Sequence, residues 1–184
     1  MYKPVVSFAL IWSCVACSTI PASSSTPLPL DPQAMLVGHN AFRTPLGLPA
    51  LHWSPSLAAY AQEWADYLAN EQGCRMHHRS ELGREQGQYG ENLFWSSARR
   101  WTDGRVEVQL VDAAQVTAAW GSEWQHYDHA NNHCRRGEQC GHYTQMVWHS
   151  TREVGCAASL CPDGGQVWVC NYSPPGNWLG ERPY

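Results

Sequence analysis

The 184-residue chain has no run of basic residues, and its net charge is -4 with a sequence pI of about 6.1. Nothing in that balance favours nucleic acid or an anionic membrane surface as a partner. It also lacks a long apolar run: Val5 to Val15 is too short for a membrane-spanning helix. From Cys74 onward no two cysteines form a C-x-x-C pair, which weakens a metal reading of the cysteines. A G-x-S-x-G elbow and an H-E-x-x-H helix are absent too, so no standard serine nucleophile or zinc protease is supported. No internal repeat is evident, and the length suits one domain.

The ends and the cysteines point outside the cell. Lys3 followed by the Val5–Val15 stretch reads as a secretion signal over residues 1–17. Val15-Ala16-Cys17 places a small residue before a cysteine, the arrangement of lipidation at Cys17 in a bacterial lipoprotein. Cys14, where leucine is usual, departs from it, and plain secretion is the alternative. Residues 18–32, rich in Ser, Thr and Pro, cannot bury enough apolar surface to fold and read as an extended tether. Six cysteines then remain: Cys74, Cys134, Cys140, Cys156, Cys161 and Cys170. An even number in an exported domain implies three disulfides, with 15 connectivities open. Such bracing suits a chain with 10 tryptophans and 8 tyrosines, most of them in the domain, where they need both burial and hydrogen-bond partners.

Periodicity orders the elements. Met35, Leu36, His39, Phe42 and Arg43 give a helical pattern over 33–43, ended by Pro45 and Gly47. Ser54-Pro55 opens a second helix, with Leu57, Tyr60, Ala61, Trp64 and Leu68 at helical spacing and Gly73 at its end. Asp112 and Gln115 form a capping box for a third helix reaching about Tyr127. Residues 88–110 read as strand and loop. "EVGCAASLC" and "QVWVCNY" read as strands joined by a turn at 162–165. Helices first and paired strands late predict an α+β domain.

Four polar residues keep apolar company. Val116, Trp120, Glu123 and Tyr127 share one helix face, so Glu123 requires a partner, structural or functional. Glu91 follows Gly90, where backbone can approach a neighbour closely. His78 stands four residues after Cys74, and His142 precedes Tyr143, Met146, Val147 and Trp148. Two histidines and two glutamates suit a divalent metal such as zinc, or general acid–base work. A rival cluster is His126, His129 and His133, which more often would be solvated positions near a helix end.

In order along the chain, "HNAFRTPLGLPALHWSPSLAAYAQEWA", "CRMHHRS", "YGENLF", "AWGSEW", "GHYTQMVWHST" and "CNYSPPGNWLGERPY" resemble the blocks of the CAP superfamily. That superfamily comprises cysteine-rich secretory proteins, antigen 5 and pathogenesis-related class 1 proteins. The resemblance covers about residues 33–184, and the leader points to a bacterial secreted or lipoprotein member. It implies a three-layer α-β-α sandwich around a central antiparallel sheet. It also implies the bridges Cys74–Cys161, Cys134–Cys140 and Cys156–Cys170. The family's tetrad falls on His78, Glu91, Glu123 and His142, with the two histidines able to hold a divalent metal. Residues 95–109 are longer and richer in tryptophan than the plant equivalent. No cysteine-rich module follows the domain, so ion-channel regulation is not supported. Plant members release a C-terminal peptide, and "PPGNWLGERPY" fits that pattern.

Three functions follow as expectations: a monomeric binding module for sterols, fatty acids or other small lipids; a metal-assisted or acid–base hydrolase using Glu91 or Glu123 as base; and an interaction or defence protein held out on its tether. The resemblance favours binding over catalysis. The expected location is extracellular or in the cell envelope, with membrane contact only through a lipid anchor.

Overall fold

The computed structural model describes residues 26–81 and 88–184. The signal segment, Cys17 and residues 18–25 of the expected tether lie outside the described residues.

Helix α1 spans Pro32–Arg43, with the Asp31 side chain accepting the Gln33 backbone N–H at 2.9 Å. Met35, His39 and Arg43 recur every four residues and form its buried stripe. The chain reaches this helix along the sheet: Leu28 donates to the Ala158 carbonyl at 2.9 Å and Leu160 to that of Thr26 at 3.0 Å. The last residues of the expected tether are thus bonded to the domain.

A two-residue strand, β1 (His52–Trp53), precedes α2 (Pro55–Glu71). Proline opens α2 as expected, but Ser54 makes no side-chain cap; its hydroxyl pairs with that of Ser56 at 3.0 Å. Then come β2 (Gly90–Ser96), the hairpin β3 (Arg99–Arg100) with β4 (Val106–Glu107), and α3 (Ala113–Gly121). The capping box of Asp112 and Gln115 forms with both bonds. The third helix stops at Gly121, earlier than expected. Glycine is a weak helix former, and this one lies under the Phe42 ring, whose Cζ would be 2.0 Å from an added Cβ. Residues Ser122–His126 continue as a tighter 3-10 turn, so Glu123 sits on that turn and Tyr127 beyond it.

Strands β5 (Tyr127–Asp128) and β6 (His133–Cys134) form a small hairpin, followed by the short helix α4 (Gly141–Met146). Strands β7 (Glu153–Leu160) and β8 (Gln166–Ser173) pair antiparallel across the expected turn. The main sheet runs β1-β7-β8-β2, antiparallel except where β1 joins β7 in parallel.

Strand alternation builds the three layers. Val154, Ala158, Trp168 and Tyr172 face Met35, Val116, Trp120 and Met146 of the α1, α3 and α4 layer. Leu93, Ala157, Val167 and Val169 face Ala61, Trp64, Ala65 and Leu68 of α2. Gly155 permits α2 to lie close, since a Cβ there would be 2.2 Å from the Ala58 nitrogen. The disulfides are Cys74–Cys161, Cys134–Cys140 and Cys156–Cys170, as the resemblance implies. The first ties the end of α2 to the end of β7. The last joins directly opposed residues of β7 and β8. Each constrains the unfolded chain, by about 2–4 kcal/mol.

Candidate functional site

Glu123 has the partners its position demanded. Its Oε1 accepts His142 Nδ1 at 2.6 Å, and its Oε2 accepts the backbone N–H groups of His142 (3.0 Å) and Tyr143 (3.2 Å). Those two N–H groups belong to the first turn of α4, where no intrahelical acceptor exists. The carboxylate therefore caps α4 and orients its histidine together. At the other end, the buried Arg43 donates to the carbonyls of Met146 and Trp148, both at 2.9 Å, and of Thr151 at 3.1 Å; its Nε reaches Pro49 at 2.8 Å. Burial without a carboxylate lowers its pKa to about 10.

His78 repeats the pattern from another part of the chain. Its Nδ1 lies 2.8 Å from Glu91 Oε1, which also accepts the Arg79 backbone N–H at 3.1 Å. The hydrogen bond His78 donates to Glu91 raises the His78 pKa, with burial opposing it and the charges of Glu91 and Glu81 adding to it. Gly90 holds Glu91 in place by close approach: an added Cβ would be 2.1 Å from Gln145 Oε1.

A cleft of about 280 Å³ brings His78, Glu91 and His142 together with Asn92, Gln139 and Asn177. Glu123 does not line it. In both pairs a carboxylate accepts the Nδ1–H, so in the neutral imidazole the Nε2 lone pair is the free one. This is the outer-shell arrangement that orients a metal-bound histidine. The donor set therefore fits a divalent ion held by two imidazoles. The glutamate oxygens are committed to imidazole and backbone N–H groups, and among the described residues no group of three or more His, Cys, Asp or Glu is arranged to hold a metal. Of the rival histidines, His126 and His133 line a separate cavity of about 420 Å³ and His129 does not. His129 stacks on Tyr184 at 4.4 Å and bonds its carbonyl oxygen, while His126 pairs with Glu138 at 3.7 Å.

A buried network behind the cleft escaped the sequence reading. His39 Nδ1 meets the Met35 carbonyl at 2.7 Å, so Nε2 accepts from the Tyr172 hydroxyl at 2.8 Å. Asn92 donates to that hydroxyl and to the His142 carbonyl, both at 3.1 Å. Trp120 lies nearly parallel to the His142 ring at 6.1 Å. Burial lowers the His39 pKa to about 4. The available signal was the one used for Glu123: a polar residue on the stripe that also carries Met35.

These features define a disulfide-braced α-β-α domain with two carboxylate-held imidazoles in one cleft, and residues 36–172 match the family described as CAP, the cysteine-rich secretory protein family. The chain belongs to that family. It is 40% identical to pathogenesis-related protein PR-1 of Medicago truncatula over 171 residues, covering 92% of this chain and 88% of that protein. It is 42% identical to pathogenesis-related protein 1A of Nicotiana tabacum over 152 residues, covering 83% and 80%. Among solved structures, Schistosoma mansoni venom allergen-like protein 4 superposes with TM-score 0.60 at 23% identity, covering 85% of this chain and 95% of that one. NaASP2, solved with Zn2+, gives 0.61 at 22%, covering 90% of both. At those identities the likeness is one of fold.

Proposed function

We propose that this chain is an extracellular interaction protein of the defence type whose cleft holds a divalent metal ion through Nε2 of His78 and His142. The observation that carries the reading is the matched pair of Nδ1–carboxylate bonds, His78 to Glu91 and His142 to Glu123, whose two histidines line one cleft. The two glutamates hold the imidazoles through Nδ1 and so orient them; a bound metal would supply positive charge for recruiting an oxygen or nitrogen ligand. The pathogenesis-related relatives support the defence role. Three disulfides support an oxidising location, and among the described residues no helix is long and apolar enough to cross a membrane.

The cleft wall is made of imidazoles, amides and a carboxylate. That lining suits a polar ligand better than the sterol or fatty acid expected from the resemblance, since lipid sites are mostly apolar. The hydrolase reading gains no support: Glu123 is enclosed by three donors, and Glu91 Oε1 by two. Zinc titration of the oxidised protein, followed by the imidazole ¹⁵N resonances, tests the proposal. Nε2 of His78 and His142 should shift together while Nδ1 stays protonated. Shifts confined to His126, His129 or His133 would refute it.

A further inference from the structure

The two cleft imidazoles come from opposite layers of the sandwich. His78 lies beyond the end of α2, whose Trp64 indole donates to the neighbouring His77 carbonyl at 3.0 Å. His142 is on α4, in the layer on the other face of the sheet. The two meet beside β2, the last strand in the order β1-β7-β8-β2. Two imidazoles that share one ion need a set separation, so one layer has to be fixed against the other at this edge.

Consecutive residues of β2 make the two connections. Side chains alternate across a strand. Leu93 packs with the α2 layer and Phe94 with the α1, α3 and α4 layer, so Glu91 belongs to the first face and Asn92 to the second. Glu91 accepts from His78 Nδ1 at 2.8 Å. Asn92, 1% exposed, donates from Nδ2 to the His142 carbonyl at 3.1 Å. One strand thus holds both histidines, one by its ring and the other by its backbone.

Helix α4 has six residues and is too short to be stable by itself, so its neighbours seat it. Glu123, on the 3-10 turn, takes its first N–H groups, and Arg43, on α1, takes carbonyls at its far end. Asn177 donates to the Gly141 carbonyl at 2.8 Å. None of these three stands on β2. Among the described residues, Asn92 is the side chain of β2 that hydrogen-bonds α4. Its Nδ2 also donates to the Tyr172 hydroxyl at 3.1 Å, which commits both amide hydrogens and leaves none for a ligand.

We propose, given the metal reading of the cleft, that Asn92 is a positioning residue of the imidazole pair: it fixes where His142 stands relative to His78, so that both Nε2 atoms are preset for one ion. A preset pair avoids an ordering cost on binding. Without the Asn92 bond, α4 is free to shift on β2, while Glu123 still holds the His142 ring through Nδ1. Ring orientation then survives and the separation does not.

The test is calorimetric zinc titration at pH 7.5 of the oxidised parent protein, Asn92→Ala, Asn92→Leu and Val167→Ala, with the His142 Nδ1–H resonance followed in parallel. Asn92→Leu keeps a similar volume and serves should Asn92→Ala unfold. Val167 is buried against α2, so its truncation lowers stability without touching α4. Both Asn92 variants should bind zinc about tenfold more weakly and keep the His142 resonance, and Val167→Ala should bind as the parent does. Parent affinity in both Asn92 variants, loss of the resonance in both, or equal weakening in Val167→Ala would overturn the positioning role and leave the metal pair intact. No zinc binding by the parent would overturn the metal reading and this role with it.

Discussion

Glu123 and His142 are joined twice: once through the imidazole Nδ1 at 2.6 Å and once through the histidine's own backbone N–H at 3.0 Å. One carboxylate therefore fixes both the helix that carries His142 and the direction of its ring. Glu123→Gln keeps the shape but removes the charge at the α4 N-terminus. It should cost about 1–3 kcal/mol in urea unfolding and speed hydrogen exchange at the His142 and Tyr143 amides. Unchanged exchange at both would contradict the capping role.

Arg43 anchors the opposite end of α4. Lysine has one nitrogen where arginine uses three to reach four carbonyls. Arg43→Lys should lower stability by about 2–4 kcal/mol, read as a fall in the thermal midpoint. A fall no larger than that of an exposed Arg→Lys control, such as Arg136→Lys, would sink the claim.

His39 makes stability depend on acid. Its folded pKa of about 4 lies below the ordinary value of 6.5. The unfolded chain therefore takes the proton first, and the contribution is full above about 6.5 and lost as pH falls through 4. The loss approaches about 3 kcal/mol. His78 acts with opposite sign: its raised folded pKa stabilises below the ordinary value, and that contribution fades as pH rises through the folded one. His39→Leu should flatten the acid limb of the stability profile between pH 6.5 and 4. A limb of unchanged slope would show that other groups govern it.

Gly90→Ala would drive a methyl to within 2.1 Å of Gln145 Oε1. Overpacking of this kind costs about 1–3 kcal/mol. Because β2 carries Glu91 next to it, the variant should also broaden the His78 imidazole resonances. Wild-type stability in Gly90→Ala would mean that Gln145 has room to move.

How much of this was legible followed from the range of the interactions. The α2 stripe of Leu57, Ala61, Trp64 and Leu68 and the β7–β8 hairpin are local patterns, so periodicity and turn chemistry revealed them. The need of Glu123 for a partner was legible from its helix face. The partner itself was not, because the N–H groups it caps belong to α4, a separate element. The end of α3 was missed for a similar reason: Phe42, which packs on Gly121, comes from α1. Apolar company singled out His78, Glu91 and His142 as candidates, but spacing could not bring them together, and their proximity was implied only by the family resemblance. His39 and Arg43 read as ordinary members of an amphipathic helix, although both are fully buried.

The central claim is that His78 and His142 form one metal-holding pair. Calorimetric titration of the oxidised protein with zinc at pH 7.5 and pH 5.5, beside His78→Ala/His142→Ala, tests it most directly. Metal requires neutral imidazole. The account predicts one zinc per chain at the higher pH, weaker binding at the lower, and none in the double variant. Zinc binding retained in the double variant, or absent from the parent at pH 7.5, would contradict it.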